Sequence, residues 1–230
     1  MEMRWIEDLI NLFYPRKCHL CGHDLGSHEK YICRACEETL PRTGYHRTPD
    51  NPMEQRFAGQ FPFVAATGHF FYSRDSSLSQ LIQDMKYRNF PSIGNYMGEV
   101  AGKELYSAGF LSEVDLIVPL PMHYLKEIRR GYNQAERIAQ GLGKASGIRV
   151  AKVLEMTRGR KTQTTMSREE RLHNAENLFS PRQGVDLNGK GVLLVDDICT
   201  TGATMSGAAR AMTDKFRDMR LYLFVLGITF

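Results

Sequence analysis

The sequence predicts an α/β fold in which a mostly parallel, twisted sheet carries helices on both faces. The first observation is that strand-like and helix-like segments alternate along residues 61–230. The second is the run Val192–Val195, whose consecutive apolar residues are typical of a strand buried on both faces. The third is a compact cysteine pattern near the amino terminus, which predicts a small module in front of this fold.

The individual elements follow from local hydrophobic patterns. In the segment 78–88, for example, Leu78, Leu81, Ile82 and Met85 recur at helical spacing and define one apolar face. The predicted strands are Val64–Tyr72, Val114–Val118, Val150–Leu154, Val192–Val195 and Leu221–Thr229. The predicted helices are Leu78–Arg88, Ser92–Ser107, Asn133–Ser146 and Met205–Phe216.

Proline and glycine mark a boundary between the module and the main domain. The segment 41–60 contains three prolines and two glycines among mixed polar residues, which predicts a linker. We therefore expect an amino-terminal helix and a metal module in residues 1–42, a linker in 43–60 and the main domain in 61–230. The helix is predicted from apolar residues at helical spacing before Pro15, namely Trp5, Ile6, Leu9, Ile10, Leu12 and Phe13.

Composition places the chain among ordinary globular proteins. Hydrophobic residues make up 42% and charged residues 24%, and no apolar run approaches the roughly 20 residues that span a bilayer. The first residues lack the basic and then apolar layout of a signal peptide, so we expect a cytoplasmic protein without membrane insertion. A net charge of +4 fits anionic ligands but does not demand nucleic acid.

Four of the five cysteines form two CxxC pairs that are separated by eleven residues. The pairs are Cys18 with Cys21 and Cys33 with Cys36, and together they supply the four thiolates of a closed structural Zn²⁺ site. Iron–sulfur binding is an open alternative. A module this short cannot form a core of its own, so the metal would supply its folding energy.

The segment Gly191–Thr204 combines a buried strand, two carboxylates and a small polar turn. Asp196 and Asp197 come where the predicted strand ends, at the sheet edge where open α/β folds bind ligands. Next comes the turn of Thr200, Thr201, Gly202, Ala203 and Thr204, which opens a helix and leaves backbone N–H groups free for a phosphate. The carboxylates suit sugar hydroxyls or a Mg²⁺ ion on a diphosphate, so this segment predicts a site for a phosphorylated sugar.

Basic groups elsewhere in the chain are candidates for binding the rest of such a ligand. Pro121 and His123 follow the predicted strand Val114–Val118, and Arg129 and Arg130 come shortly after. Arginine offers bidentate donors to phosphate oxygens. Arg160 and Lys161 begin a long polar, basic segment with the composition of a lid, and Lys86 lies near the end of a predicted helix.

The segment Gly191–Thr204 resembles the phosphoribosyl pyrophosphate (PRPP) signature of type I phosphoribosyltransferases. The order of motifs along residues 5–230 is similar to that of the ComF family of phosphoribosyltransferase-like proteins, which are linked to natural transformation in bacteria. The motifs that carry this resemblance are the two CxxC pairs, Asp84–Tyr87, Val118–Pro121, Arg130–Gln134 and the basic segment up to Phe179.

The resemblance implies a type I phosphoribosyltransferase fold that binds PRPP with Mg²⁺. It implies that Asp196 and Asp197 hold the ribose hydroxyls and that residues 200–204 hold the 5-phosphate. We expect the diphosphate at Pro121, His123, Arg129, Arg130, Arg160, Lys161 and Lys86. DNA uptake, and other competence proteins as partners, follow from the resemblance alone.

Three functions remain open at this point. One is a transferase that displaces pyrophosphate from C1 of PRPP, and another is a PRPP sensor without turnover. The third is a protein that binds single-stranded DNA through the metal module and neighbouring basic and aromatic residues. The acceptor substrate and the oligomeric state are not readable from the sequence.

Overall fold

The computed structural model of the protein describes residues 15–88, 90–157 and 178–229. The predicted amino-terminal helix, and the basic segment with Arg160 and Lys161, lie outside the described residues. The described chain contains a four-stranded sheet and a two-stranded sheet, with helices packed against the larger one.

The four-stranded sheet is entirely parallel and has the strand order β1-β6-β5-β2. Its strands are β1 (Ala65–Phe71), β2 (Leu116–Pro119), β5 (Gly191–Cys199) and β6 (Arg220–Ile228). The predicted buried strand is therefore central, and Val195 pairs with Pro119 on one side and Phe224 on the other. Because the strands are parallel, their carboxyl ends meet at a single edge of the sheet.

Helices cover both faces of this sheet, as predicted. The helices are α1 (Arg34–Glu38), α2 (Pro52–Phe57), α3 (Ser77–Tyr87), α4 (Pro91–Ser107), α5 (Tyr124–Arg130), α6 (Gln134–Ser146) and α7 (Ala203–Thr213). Leu193, Val195 and Phe224 pack with α3, α4 and α6, and the buried Cys18 and Ile32 of the cysteine module join the same cluster. Val192, Leu194 and Val225 point to the opposite face, against α2 and α7.

The segment 43–60 contains packed structure where the sequence predicts a linker. A 3₁₀ turn spans Tyr45–Arg47, and α2 buries Met53 and Phe57 completely. Asn51 caps α2 by accepting hydrogen bonds from Met53 N and Glu54 N, while its amide donates to Ala66 O at 2.9 Å. Proline at the first position of α2 explains the difference, since proline starts helices as readily as it interrupts them.

The predicted strand Val150–Leu154 is replaced by two shorter features. Val150 forms an isolated bridge with Ile117, and β3 (Leu154–Met156) pairs with β4 (Phe179–Pro181) in an antiparallel ribbon. Ile117 presents both of its backbone groups to this outer edge, donating to Arg149 O and accepting from Ala151 N. The next residue with that orientation is Pro119, which has no N–H to donate, so pairing stops there.

Helices α4 and α6 cross at unusually close range because glycines lie at the contact. A Cβ atom on Gly98 would lie 2.1 Å from Ile138 O, and one on Gly141 would lie 2.1 Å from Asn95 O. Since both obstructing atoms belong to the backbone, a rotamer change cannot relieve the clash. The crossing fixes α6 against the sheet and so sets the position of the α6 amino terminus.

We expect Gly98→Ala to lower the free energy of unfolding by about 3 kcal/mol, because the helices would have to separate. The measurement is chemical denaturation followed by circular dichroism. Gly207→Ala in α7 is the matched control, since its Cβ would meet Phe179 at an ordinary 3.5 Å. That change should be neutral or stabilising by up to about 1 kcal/mol, and equal losses in both variants would contradict the packing argument.

Candidate functional site

A cavity of about 320 Å³ opens at the carboxyl edge of the sheet, between the ends of β2 and β5. It lies where parallel α/β sheets bind ligands. Its lining combines charged, polar and apolar side chains. The lining residues are Lys86, Leu120, Pro121, Met122, His123, Lys126, Arg130, Asn133, Gln134, Ala135, Met156, Leu178, Phe179, Asp196, Asp197 and Thr204.

Asp196 and Asp197 lie within the last part of β5 rather than after it. The strand continues to Cys199 because its backbone stays in register with β6, where Asp196 pairs with Val225 and Ile198 with Gly227. Both carboxylates accept a backbone hydrogen bond, Asp196 from Asp197 N at 2.8 Å and Asp197 from Ile198 N at 2.7 Å. The extra strand residues therefore fix two acidic side chains at the mouth of the cavity.

The electrostatic environments of the two carboxylates differ. Lys86 Nζ lies 2.5 Å from Asp197 Oδ2 and forms an ion pair with it. Burial, followed by repulsion from Asp197, raises the pKa of Asp196 well above its ordinary value. This corner of the cavity would gain stability from a cation or from hydroxyl donors on a ligand.

The turn Thr200–Thr204 borders a second, smaller cavity of about 30 Å³ next to Asp196. Gly202 caps the amino terminus of α7 with a φ of +85°, a conformation that other residues rarely adopt. A Cβ at this position would also lie 2.8 Å from Phe57 Cε1. The turn is thus held open above a helix amino terminus, an arrangement suited to an anion.

Arg56 of α2 braces this turn from behind, and the site prediction did not include it. Its guanidinium donates hydrogen bonds to Thr200 O and, at 2.6 Å, to Thr229 O, and it lies 3.6 Å from the buried Cys199 Sγ. Arg56 and Thr200 are 144 residues apart. In the sequence, Arg56 is one basic residue in a segment that predicts a linker, and no local pattern marks it as a site residue.

The loop after β2 forms the opposite wall of the main cavity. Asn133 caps α6 and donates to Leu120 O at 2.7 Å, which holds this loop against the helix. Pro121, His123 and Arg130 line the cavity as expected for a common site, and Lys126 joins them without having been predicted. Arg129 is exposed and does not line this cavity, whereas its neighbour Arg130 on α5 does.

Gln134 provides a buried donor beside these cations. The side chain is 1% exposed, and its Oε1 accepts a hydrogen bond from Arg130 Nη1 at 3.2 Å. Within the described part of the chain its Nε2 has no hydrogen-bond partner. An unpaired buried donor is costly, so this amide is suited to a ligand oxygen in the cavity.

The four predicted cysteines converge in the module in front of the sheet. The Sγ atoms of Cys18, Cys21, Cys33 and Cys36 all lie within 4.8 Å of one another. Four thiolates at this separation fit the tetrahedral shell of a structural Zn²⁺ site. His19, His23 and His28 are near in sequence, but among the described residues the cluster consists of the four cysteines.

The described helices include none with the length and apolar character to cross a bilayer. Single-stranded DNA would need exposed aromatic rings near the module. Among the eight aromatic residues near the module that could take this role, Phe57, Phe61 and Phe70 are buried. Phe71 is 40% exposed, and Tyr31, Tyr45, Phe63 and Tyr72 are partly exposed, so single-stranded DNA remains an alternative ligand.

We expect Cys33→Ser to lose the metal and to expose residues 15–42 to proteolysis, because three thiolates do not close a zinc shell. Metal content by mass spectrometry and limited trypsin digestion are the measurements. Cys199→Ser is the control, since Cys199 lies outside the cluster and should leave the metal in place. Iron with visible charge-transfer absorption in the wild-type protein would contradict the zinc assignment.

We expect Asp196→Asn to raise the melting temperature of the ligand-free protein, because it removes a buried charge beside Asp197. A carboxyl pKa that is raised on folding destabilises the native state as pH rises above about 4. The increase in melting temperature should therefore be larger at pH 8 than at pH 5. A gain of 1 kcal/mol in the free energy of unfolding corresponds to about 2–4 °C. The exposed Asp214 is the control: Asp214→Asn should leave melting unchanged at both pH values, and a flat profile for Asp196→Asn would refute the burial argument.

Comparisons with known proteins agree with this architecture. The model of the phosphoribosyl transferase domain matches residues 128–215, and that of the double zinc ribbon domain matches residues 9–47. Among solved structures, a glutamine PRPP amidotransferase from B. subtilis is 19% identical with a TM-score of 0.43. That match covers 61% of this chain and 30% of the other chain.

Several relatives match this chain in sequence over most of its length. Competence protein F of Haemophilus influenzae is 25% identical over 218 residues, which cover 87% of this chain and 92% of that protein. Competence protein ComFC of Bacillus subtilis is 25% identical over 91% of this chain and 76% of its own length. DNA utilization protein YhgH of Escherichia coli K12 is 27% identical over 87% of this chain and 92% of its own length. With the parallel sheet and the four-cysteine cluster, these matches support a ComF-type, phosphoribosyltransferase-like protein with a double zinc ribbon at its amino terminus.

Proposed function

We propose that this protein binds PRPP together with Mg²⁺ at the carboxyl edge of its sheet, as a phosphoribosyltransferase-type component of DNA uptake. The observation that carries the proposal is the placement of Asp196, Asp197 and the Thr200–Thr204 turn around adjoining cavities, the larger of which is also lined by Lys86 and Arg130. Carboxylates, a helix amino terminus and cations are the three kinds of group that a sugar with phosphates at both ends requires.

Each part of PRPP has a matching set of groups. Asp196 and Asp197 accept hydrogen bonds from the ribose hydroxyls, and the backbone N–H groups of residues 200–204 hold the 5-phosphate. Lys86, Lys126 and Arg130 supply positive charge for the diphosphate, and Gln134 Nε2 adds a neutral donor. Arg160 and Lys161, outside the described residues, stay predicted as further diphosphate contacts.

A Mg²⁺ ion fits the same site because it prefers carboxylate and phosphate oxygens and usually arrives with a substrate phosphate. It would neutralise charge on the diphosphate. Lys86 contacts Asp197 in the ligand-free protein, so ligand binding would exchange this ion pair for contacts to the ribose and the diphosphate. Lys86 thus compensates one of the two carboxylates before the ligand arrives.

Transfer from PRPP would break the bond between C1 and the diphosphate oxygen and form a bond between C1 and an acceptor. The electron pair of the broken bond leaves with the diphosphate, where Lys86 and Arg130 stabilise the developing charge. His123 is a weak candidate for a general base, because its Nδ1 already accepts a hydrogen bond from Leu125 N as the cap of α5. Positioning and charge stabilisation are therefore the contributions that the described residues can make.

A role in DNA uptake is supported by the relatives, which include two competence proteins and a DNA utilization protein. We propose that it acts in the cytoplasm with other competence proteins. Binding of PRPP without turnover would suit a sensor of nucleotide supply, and measured turnover would assign an enzyme. These alternatives share one ligand site and diverge only after binding.

The test is a calorimetric titration of PRPP with Mg²⁺ into the zinc-loaded protein and into the Asp196→Asn/Asp197→Asn variant. We expect micromolar binding to the wild-type protein. Loss of two charge-assisted hydrogen-bond acceptors should weaken it about 100-fold or more. Ribose 5-phosphate and pyrophosphate, titrated separately, would report the two ends of the site.

The matched control is Asp214→Asn/Asp218→Asn, which removes two exposed carboxylates at the opposite edge of the sheet. Asn is well tolerated at position 218, where φ is +55°. This control should bind like the wild-type protein. Absence of PRPP binding to the wild-type protein, or equal loss in both double variants, would overturn the proposal and make salt-dependent binding of single-stranded DNA the function to test.

A further inference from the structure

The carboxyl-terminal half of α3 lies between the zinc module and the ligand cavity. Asp84 and Lys86 are two residues apart, so they project from different sides of the helix. Asp84 Oδ2 lies 2.8 Å from His19 Nδ1 in the module, while Lys86 Nζ lies 2.5 Å from Asp197 Oδ2 in the cavity. One helical turn thus contacts both sites.

His19 contacts the carboxyl-terminal half of α3 at two points. Its ring nitrogen pairs with Asp84, and its backbone carbonyl accepts a hydrogen bond from Gln80 Nε2 one turn earlier. Asp84 is only 2% exposed, and its other oxygen pairs with Arg88 at 3.2 Å. Removing a partner from a buried carboxylate is costly, so the position of Asp84 depends on His19.

The same turn also orients the second cation of the cavity. The Tyr87 ring lies 5.3 Å from the Arg130 guanidinium, and its hydroxyl accepts a hydrogen bond from Arg130 Nη2 at 3.4 Å. The Tyr132 hydroxyl donates to Met85 O. The last turn of α3 therefore carries Lys86 itself and contacts Arg130 through the Tyr87 side chain. It is also joined to the segment after Arg130 through Met85 O.

We infer that the zinc module, through His19 and Asp84, fixes the last turn of α3 and thereby positions Lys86 and Arg130 for an anionic ligand. His19 is a positioning residue, since it does not line the cavity. The identity of the ligand as PRPP rests on the proposed function, whereas the ordering of α3 by the module does not. The module is then a structural part of the ligand site.

The test compares His19→Ala with His23→Ala. Both histidines lie within two residues of a zinc cysteine, but the exposed His23 has no side-chain contact with α3. We expect both variants to keep zinc. In His19→Ala alone, amide exchange in residues 84–88 and 129–132 should become about tenfold faster, and PRPP affinity should fall about 5- to 20-fold, within the usual range of coupling energies.

Two further variants separate this role from a general loosening of the module. His19→Asn should keep amide exchange and PRPP affinity close to their wild-type values, because the Asn amide can donate a hydrogen bond to Asp84 from a position close to that of Nδ1. Tyr96→Phe removes the contact between the module residue Glu37 and α4, and it should leave exchange in residues 84–88 unchanged. An equal increase in Tyr96→Phe or His23→Ala would overturn the inference.

Asp84→Ala keeps the inference testable if His19→Ala disturbs the metal, because residue 84 lies outside the module. It should reproduce the faster exchange while Arg88→Ala, which removes the exposed partner of Asp84, should not. Unchanged exchange in Asp84→Ala would also overturn the inference. If the wild-type protein does not bind PRPP, the proposed function fails, and the exchange data still decide whether the module orders α3.

Discussion

Parallel pairing of β5 between β2 and β6 is the constraint on which the rest of the structure depends. It buries Val192–Val195 on both faces, so helices must cover both sides of the sheet. It also brings the carboxyl ends of β2 and β5 together, which places the loop after Pro119 beside Asp196 and Asp197. The cavity at this edge is therefore a direct consequence of strand order. Side chains that are distant in sequence meet there because parallel strands bring their carboxyl ends to a single edge of the sheet.

The fold, the acidic end of β5 with its turn and the cysteine cluster could be predicted from the sequence because their signals are local. The run Val192–Val195 with its acidic end and small turn, and the two CxxC pairs, are each contained in one short segment, and the structure brings each set together. Arg56, Lys126 and Gln134 were missed as site residues because their roles arise from tertiary packing. Nothing local distinguishes Arg56 from any other basic residue, although it braces Thr200 across 144 positions of sequence.

The differences in secondary structure have specific causes. Pro119 lacks the donor that would have extended pairing along the outer edge of β2, so the predicted strand around Val150 is reduced to one bridge. Pro52 starts a helix in a segment whose prolines and glycines suggested a linker. Conversely, β5 runs on through two aspartates because register with β6 outweighs their low strand propensity. In the two strand cases, hydrogen bonding with the neighbouring strand decided where pairing continues and where it stops.

The order of strands has a consequence for synthesis of the protein. β6 comes last among the described strands but occupies an inner position, between β1 and β5. Pairing of Ala65 with Tyr222 joins residues separated by more than 150 positions, so β1 has no partner in this sheet until residues 220–228 have left the ribosome. Until then the apolar flank of β1 is exposed to other nascent chains. The edge of the sheet that carries Asp196 and Asp197 is completed only when β6 inserts between β1 and β5, so the sheet cannot finish folding before residue 228 has left the ribosome.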